Sequence, residues 1–220
     1  MGTRNVIKKF LSSIKSFILN LFSKSEAKSI KGGKSNMFEK VSFDTFRKDL
    51  IRCGGKLSLD QVGEIYKNIR LPERATEFSA GYDFYSPIGL RIPAGANIRI
   101  PTGIKANLEN LGGDTNKFLA LYPRSSYGFN YGMRLMNTVG IIDQDYYDNL
   151  DNEGDIIVAF TASVDFQINM GDKFCQGVIQ PYYVMNNNEV IDEIRSGGIG
   201  STDIIPQLEH SSNTSSIKDE

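Results

Sequence analysis

The sequence predicts an all-β domain of sandwich or jelly-roll type, with short helices ahead of it and a basic amphipathic arm at the front. Three observations carry that reading. From about residue 80, apolar and polar residues alternate with a period of two, in short runs separated by Gly, Pro, Asn and Asp. No apolar stripe of helix length interrupts those runs. Helical spacing is confined to the segments that precede them.

The elements follow in order. Residues 6–24, VIKKFLSSIKSFILNLFSK, set Ile7, Phe10, Leu11, Ile14, Phe17, Ile18, Leu21 and Phe22 at helical spacing, with Lys8, Lys9, Ser12 and Lys15 largely between them. Lys15 and the serines leave no stretch of about 18 uninterrupted apolar residues, as a membrane span needs. They also break the apolar core that a signal peptide needs. Two readings stay open: a helix lying on a membrane surface, or a helix docked on its own protein or on a partner through residues 1–24. Residues 25–36 read as a polar linker around Gly32-Gly33. Phe43, Phe46 and Leu50 share one face of a first short helix. Ser58 and Gln61 form a capping box for a second, which carries Val62, Ile65, Tyr66 and Ile69 and which Pro72 ends. Strands are expected within 97–108, 117–123, 134–143, 155–163 and 173–184. The expected organisation is thus an arm and linker over 1–36 and a folded domain over 37–203. Within the domain, helices fall in 43–69, a β jelly roll starts at about 75 and a Gly-rich arm covers 195–203. A disordered polar tail over 204–220 completes the chain.

Composition narrows the chemistry. The chain has 220 residues, 2 Cys and 1 His. His210 sits in the polar tail, so Ser–His or Cys–His catalysis and His-ligated zinc are not expected. Cys53 and Cys175 match no metal-ligand spacing and no secreted disulfide pattern, which points to a reducing, cytoplasmic setting. Hydrolysis here would rest on carboxylates, a hard cation, or both. The net charge of -1 conceals an asymmetry: residues 1–36 hold eight Lys or Arg against Glu26 alone, and the remainder is acidic. The lysines come without an aromatic–basic recognition module, so nucleic acid is not an expected partner.

Five short stretches break the strand pattern with polar residues and glycine. Ala80-Gly81-Tyr82-Asp83 places an acid inside a β run, where it needs pairing or a cation. Tyr122-Pro123-Arg124-Ser125-Ser126-Tyr127-Gly128 offers a planar guanidinium and two hydroxyls where a short helical turn can begin. Residues 137–146, NTVGIIDQDY, read as an apolar hairpin ending in Asp143, Asp145 and Tyr146, and the two acids share one face if the segment is extended. One of them suits a general base and the other a structural pair. Gly171-Asp172-Lys173-Phe174-Cys175-Gln176 is a turn entering a strand. Arg195-Ser196-Gly197-Gly198-Ile199-Gly200-Ser201-Thr202 suits close approach to phosphate but is no Walker loop, since it lacks the Lys and Pro206 follows.

Taken together, the order and spacing of these stretches resemble the five motifs of the trimeric dUTPase family, over roughly residues 37–203. FEKVSFDTFRKDL and the DNEG at 151–154 are similar to a bacterial or phage branch. The resemblance implies a jelly roll, a homotrimer with sites shared between chains, and Mg²⁺-assisted hydrolysis of dUTP to dUMP and pyrophosphate. It further implies that Asp143 is the base for water attacking the α-phosphorus. Arg124, Ser125, Ser126, Gln176, Arg195, Gly198, Gly200, Ser201 and Thr202 would hold phosphates. Asn137, Gly140, Ile142, Tyr146 and Ile199 would hold uracil and deoxyribose. Asp83 would bind Mg²⁺ through water. Ile199 stands where the family usually has Phe, so aliphatic contact would replace stacking on the base. The alternatives are a dCTP deaminase of the same fold, or a regulatory protein controlled by a nucleotide.

Overall fold

The computed structural model describes residues 36–111 and 116–185. The expectations for the basic arm, the Gly-rich arm at 195–203 and the tail lie outside these residues. Among the described residues, no helix is long and apolar enough to cross a membrane.

The two short helices form where their caps and faces dictate. Helix α1, Phe43–Arg52, starts at Ser42, whose side chain accepts from the Thr45 amide, and it buries Phe46, Asp49 and Leu50. Helix α2, Leu59–Lys67, has the reciprocal capping box of Ser58 and Gln61. It ends at Asn68, ahead of Pro72, while Ile69 stays buried beyond the helix. The Tyr66 hydroxyl donates to the Val41 carbonyl at 2.6 Å, and its ring meets Phe43 edge-on, tying α2 back to the chain before α1. Gly103 (φ +69) sits beneath this pair: a Cβ there would lie 2.5 Å from Ile69 Cδ1 and 3.0 Å from Phe46.

The rest is antiparallel β structure. The strands are β1 (Phe38–Lys40), β2 (Glu73–Arg74), β3 (Gly81–Tyr85), β4 (Leu90–Ile92), β5 (Ile98–Pro101), β6 (Ile104–Ala106), β7 (Lys117–Pro123), β8 (Arg134–Leu135), β9 (Gly140–Ile142), β10 (Ile157–Thr161), β11 (Phe166–Ile168) and β12 (Lys173–Pro181). A five-stranded sheet runs β2-β3-β12-β7-β9 and a three-stranded one β5-β10-β8. The pairs β1-β6 and β4-β11 complete the set. Phe84, Leu119, Leu121 and Phe174 from the large sheet share one apolar core with Ile100, Val158 and Phe160 from the other, and Phe160 and Phe174 approach to 6.4 Å between ring centres. The all-β expectation holds, with β structure starting upstream of residue 75: β1 precedes the helices and pairs with β6.

Two buried carboxyls join α1 to this core. Asp49 and Asp155 are both fully buried. One Asp155 oxygen accepts from the Gly103 amide at 2.8 Å, and Asp49 is a close enough neighbour to act on its charge. Burial raises both pKa values, against the pull of Arg52, whose Nη1 lies 3.5 Å from Asp49 Oδ1, and the neighbouring acid raises that of Asp155 further. A folded-state pKa above the unfolded one means that the folded chain binds the extra proton. The resulting stability is complete below the ordinary carboxylate range and is lost as pH rises through the raised value. Asp155→Asn keeps an acceptor for Gly103 and supplies a permanent donor to Asp49. The variant should therefore lose less stability than wild type as pH rises above the ordinary carboxylate range. Parallel melting curves for the two proteins over that rise would contradict this.

Candidate active site

Three neighbouring strands build a polar cluster. Asp83 on β3, Gln176 on β12 and Tyr122 on β7 lie in one cross-strand row. Arg124, two residues past Tyr122, falls on the same face. The row is closed by a β-bulge: the register shifts between Lys173 and Cys175, which sets Lys173 opposite Tyr85 and so on the Asp83 side. Asp83 is buried, at 2%, and is clamped between two cations. Arg124 Nη1 hydrogen-bonds to Oδ1, and Lys173 Nζ stands 3.0 Å from Oδ2. The second approach is ionic and lacks hydrogen-bond alignment. Both cations keep about a third of their side chains exposed. Gly81 leaves room for the Gln176 amide, since a Cβ there would be 2.5 Å from Oε1.

Just past Arg124, Ser125–Tyr131 forms helix α3, with Arg124 as its N-cap residue and left-handed Gly132 (φ 62) as its C-cap. Ser125 and Ser126 are exposed in its first turn. The Tyr127 hydroxyl reaches Asp172 at 3.4 Å, and burial with the nearby carboxylate pushes Tyr127 up to about 12. The Cys175 thiol, buried behind Asp83, is pushed up and stays protonated.

The segment 137–146 takes another course than the sequence suggested. Arg134–Leu135 pairs with β10 and Gly140–Ile142 with β7, so the two arms join different sheets and do not form a hairpin ladder. Between them the chain turns tightly at Thr138 (φ 64), and the Val139 amide donates to the Asn137 carbonyl at 2.6 Å. Gly140 is required by packing, since a Cβ would sit 3.0 Å from Leu121 Cβ. Asp143 is extended and partly exposed, but Gln144–Tyr146 is a 3-10 turn. Asp145 therefore does not share an extended face with Asp143: the Tyr146 amide bonds back to the Asp143 carbonyl and curls the chain. Tyr146 is buried, its hydroxyl donating to the Asp155 carbonyl at 3.0 Å and accepting from Asn152 at 3.2 Å. Ile142 is half-buried, while Asn137 is exposed and borders a cavity of about 460 Å³ that Arg52, Cys53 and Arg99 also line.

The structure thus brings Asp83, Arg124 and Gln176 together and leaves Asp143 apart from them. Arg124 lies five positions beyond Leu119 along β7, and Asp143 lies one position beyond Ile142, the partner of Leu119, in the opposite direction. At roughly 3.3 Å per residue this separates them by about 20 Å. Arg195, Gly198, Ile199, Gly200, Ser201 and Thr202 lie outside the described residues. Lys173 belongs to the cluster and was not singled out in the sequence.

The dUTPase family model matches residues 67–203, more than half of the chain. The chain belongs to the dUTPase family. It is 39% identical over 142 residues to a deoxyuridine 5'-triphosphate nucleotidohydrolase of Lactococcus lactis, covering 62% of this chain and 91% of the relative. A namesake from a gamma-proteobacterium is 34% identical over 144 residues, covering 62% and 96%. A solved dUTPase structure from Streptococcus mutans aligns with a TM-score of 0.47 at 35% identity, covering 53% of this chain and 89% of that one. Helix α1 and most of α2 lie upstream of the family match.

Proposed function

We propose that this chain hydrolyses dUTP to dUMP and pyrophosphate, at sites that each combine the Arg124 cluster of one copy with Asp143 of another copy in a homotrimer. The observation that carries this reading is the separation along β7. A base and the phosphates it acts on must be held so that reacting atoms come within about 3–3.5 Å. Asp143 and Arg124 of the same chain, about 20 Å apart, are too distant for that. A neighbouring copy can supply the missing half.

In this reading the triphosphate lies against Arg124, the Ser125 and Ser126 hydroxyls and the Gln176 amide. By the family resemblance, Arg195, Gly198, Gly200, Ser201 and Thr202 add further phosphate contacts. The Asp143 carboxylate accepts a proton from water as the water oxygen bonds to the α-phosphorus, and the bond to the pyrophosphate oxygen breaks. Asn137 and the backbone of Gly140 and Ile142 read the uracil edge, and Ile199 covers it. By the family resemblance the Tyr146 ring, whose hydroxyl is anchored on Asp155 and Asn152, packs under the deoxyribose and selects against a ribose 2′-hydroxyl.

The residues do not suit a metal ion caged by the protein. Asp83 is a single carboxylate with a cation on each oxygen, and no group of three or more His, Cys, Asp or Glu side chains is placed to hold an ion among the described residues. Magnesium fits instead as part of the substrate, the magnesium–triphosphate complex, since Mg²⁺ readily keeps phosphate and water as ligands.

Product analysis tests the reading. Pyrophosphate release from dUTP, with dCTP, dTTP and UTP converted at least about a hundredfold less well, is the expected pattern. Ammonia from dCTP would replace it with the deaminase, and nucleotide binding without turnover would leave the regulatory protein.

A further inference from the structure

Asp83 faces two cations, Arg124 and Lys173, while the acid opposite it across β2–β3, Glu73, is matched by Arg70. Beyond Arg124 and Lys173, its neighbourhood includes Tyr85, whose ring carries Lys173 on one approach (5.7 Å to the centroid) and Arg70 on another (3.9 Å). The Tyr85 hydroxyl donates to Glu73, and Arg70 bonds Glu73 at 3.0 Å. This frame restrains the Lys173 stem, and the β-bulge delivers its ammonium to the Asp83 side of the sheet.

We propose that Lys173 is a positioning residue for triphosphate binding, acting through Asp83 on Arg124. This inference rests on the reading of the Arg124 cluster as a phosphate grip. The physical argument is one of shared charge. A buried carboxylate facing a single guanidinium would neutralise it and draw its donors inward. With Lys173 on Oδ2, Asp83 divides its charge between two cations. The clamp then carries a net positive charge, and the exposed part of the Arg124 fork stays oriented for a phosphate. Asp83 serves in this arrangement as the anion that orients both cations.

The test uses calorimetric binding of α,β-imido-dUTP, a non-hydrolysable analogue, to the full-length protein, with EDTA and separately with Mg²⁺. Binding of dUMP, which lacks the triphosphate tail, is the control. Lys173→Met should weaken the analogue about tenfold, with and without the metal, and leave dUMP unchanged. Lys173→Arg should restore the affinity. In an Asp83→Asn background the Lys173→Met change should add little, because the pathway through Asp83 is already cut. Unchanged analogue affinity in Lys173→Met would overturn the proposal, as would a loss seen only with Mg²⁺, since either outcome removes a metal-independent route through Asp83. Failure of the wild type to bind the analogue under any condition would instead reject the phosphate-grip reading, and this inference with it.

Discussion

Asp143→Asn should slow pyrophosphate release from dUTP by about a thousandfold, within the range of roughly 10²–10⁴ expected for losing a positioned general base. The substitution is nearly isosteric. The amide can still hydrogen-bond a water but cannot take its proton. Asp143 is partly exposed and extended at the end of β9, and its backbone carbonyl, not its side chain, receives the Tyr146 amide. The 3-10 turn that follows should therefore survive. Since the base acts in the transition state, kcat should fall while KM stays nearly constant. Stopped-flow measurement of pyrophosphate at saturating dUTP reads this directly. A rate within tenfold of wild type would remove Asp143 from its role.

Arg124→Ala should lower kcat/KM for dUTP by about a hundredfold or more, the usual size of effect for removing a charge-stabilising donor from a reacting group. Here KM should rise as well as kcat fall, because the guanidinium meets the phosphates in the ground state and in the transition state. The variant also leaves the buried Asp83 with Lys173 alone. Stability should drop modestly, and the second cation keeps the carboxylate from being abandoned. Arg124→Lys retains charge but not the fork, so it should recover only part of the loss. Full activity in Arg124→Ala would show that the triphosphate binds elsewhere.

Much of this arrangement was legible in the sequence, and the exceptions have physical causes. The face of Phe43, Phe46 and Leu50 and the Ser58–Gln61 box are local patterns, and local patterns survive folding. Strand β1 has three residues, too few for a period to register, and its partner β6 lies more than sixty positions away. Lys173 was missed because strict alternation from Gln176 assigns it to the opposite face, and the bulge that reverses this leaves no sequence signal. The segment 137–146 read as an apolar hairpin ending in acids and an aromatic, yet a local apolar run says nothing about which sheet receives each arm. Asp49 and Asp155 are more than a hundred positions apart, and only the docking of α1 brings them together. What the residues could state without the fold was the kind of chemistry. With His210 alone in the tail, the expected hydrolytic chemistry rested on carboxylates, a hard cation, or both.

The central claim is that the base and the phosphate grip of one site come from different copies of the chain. Mixed trimers test it most directly. Asp143→Asn and Arg124→Ala proteins, each nearly inactive alone, would be co-expressed with two different tags and the mixed species isolated by tandem purification. Every mixed trimer, whichever parent supplies two of its copies, has one site in three that joins an intact Arg124 from one parent to an intact Asp143 from the other, so activity should return to about a third of wild type. Mixed trimers as inactive as their parents would place both groups of a working site on one chain and contradict the account.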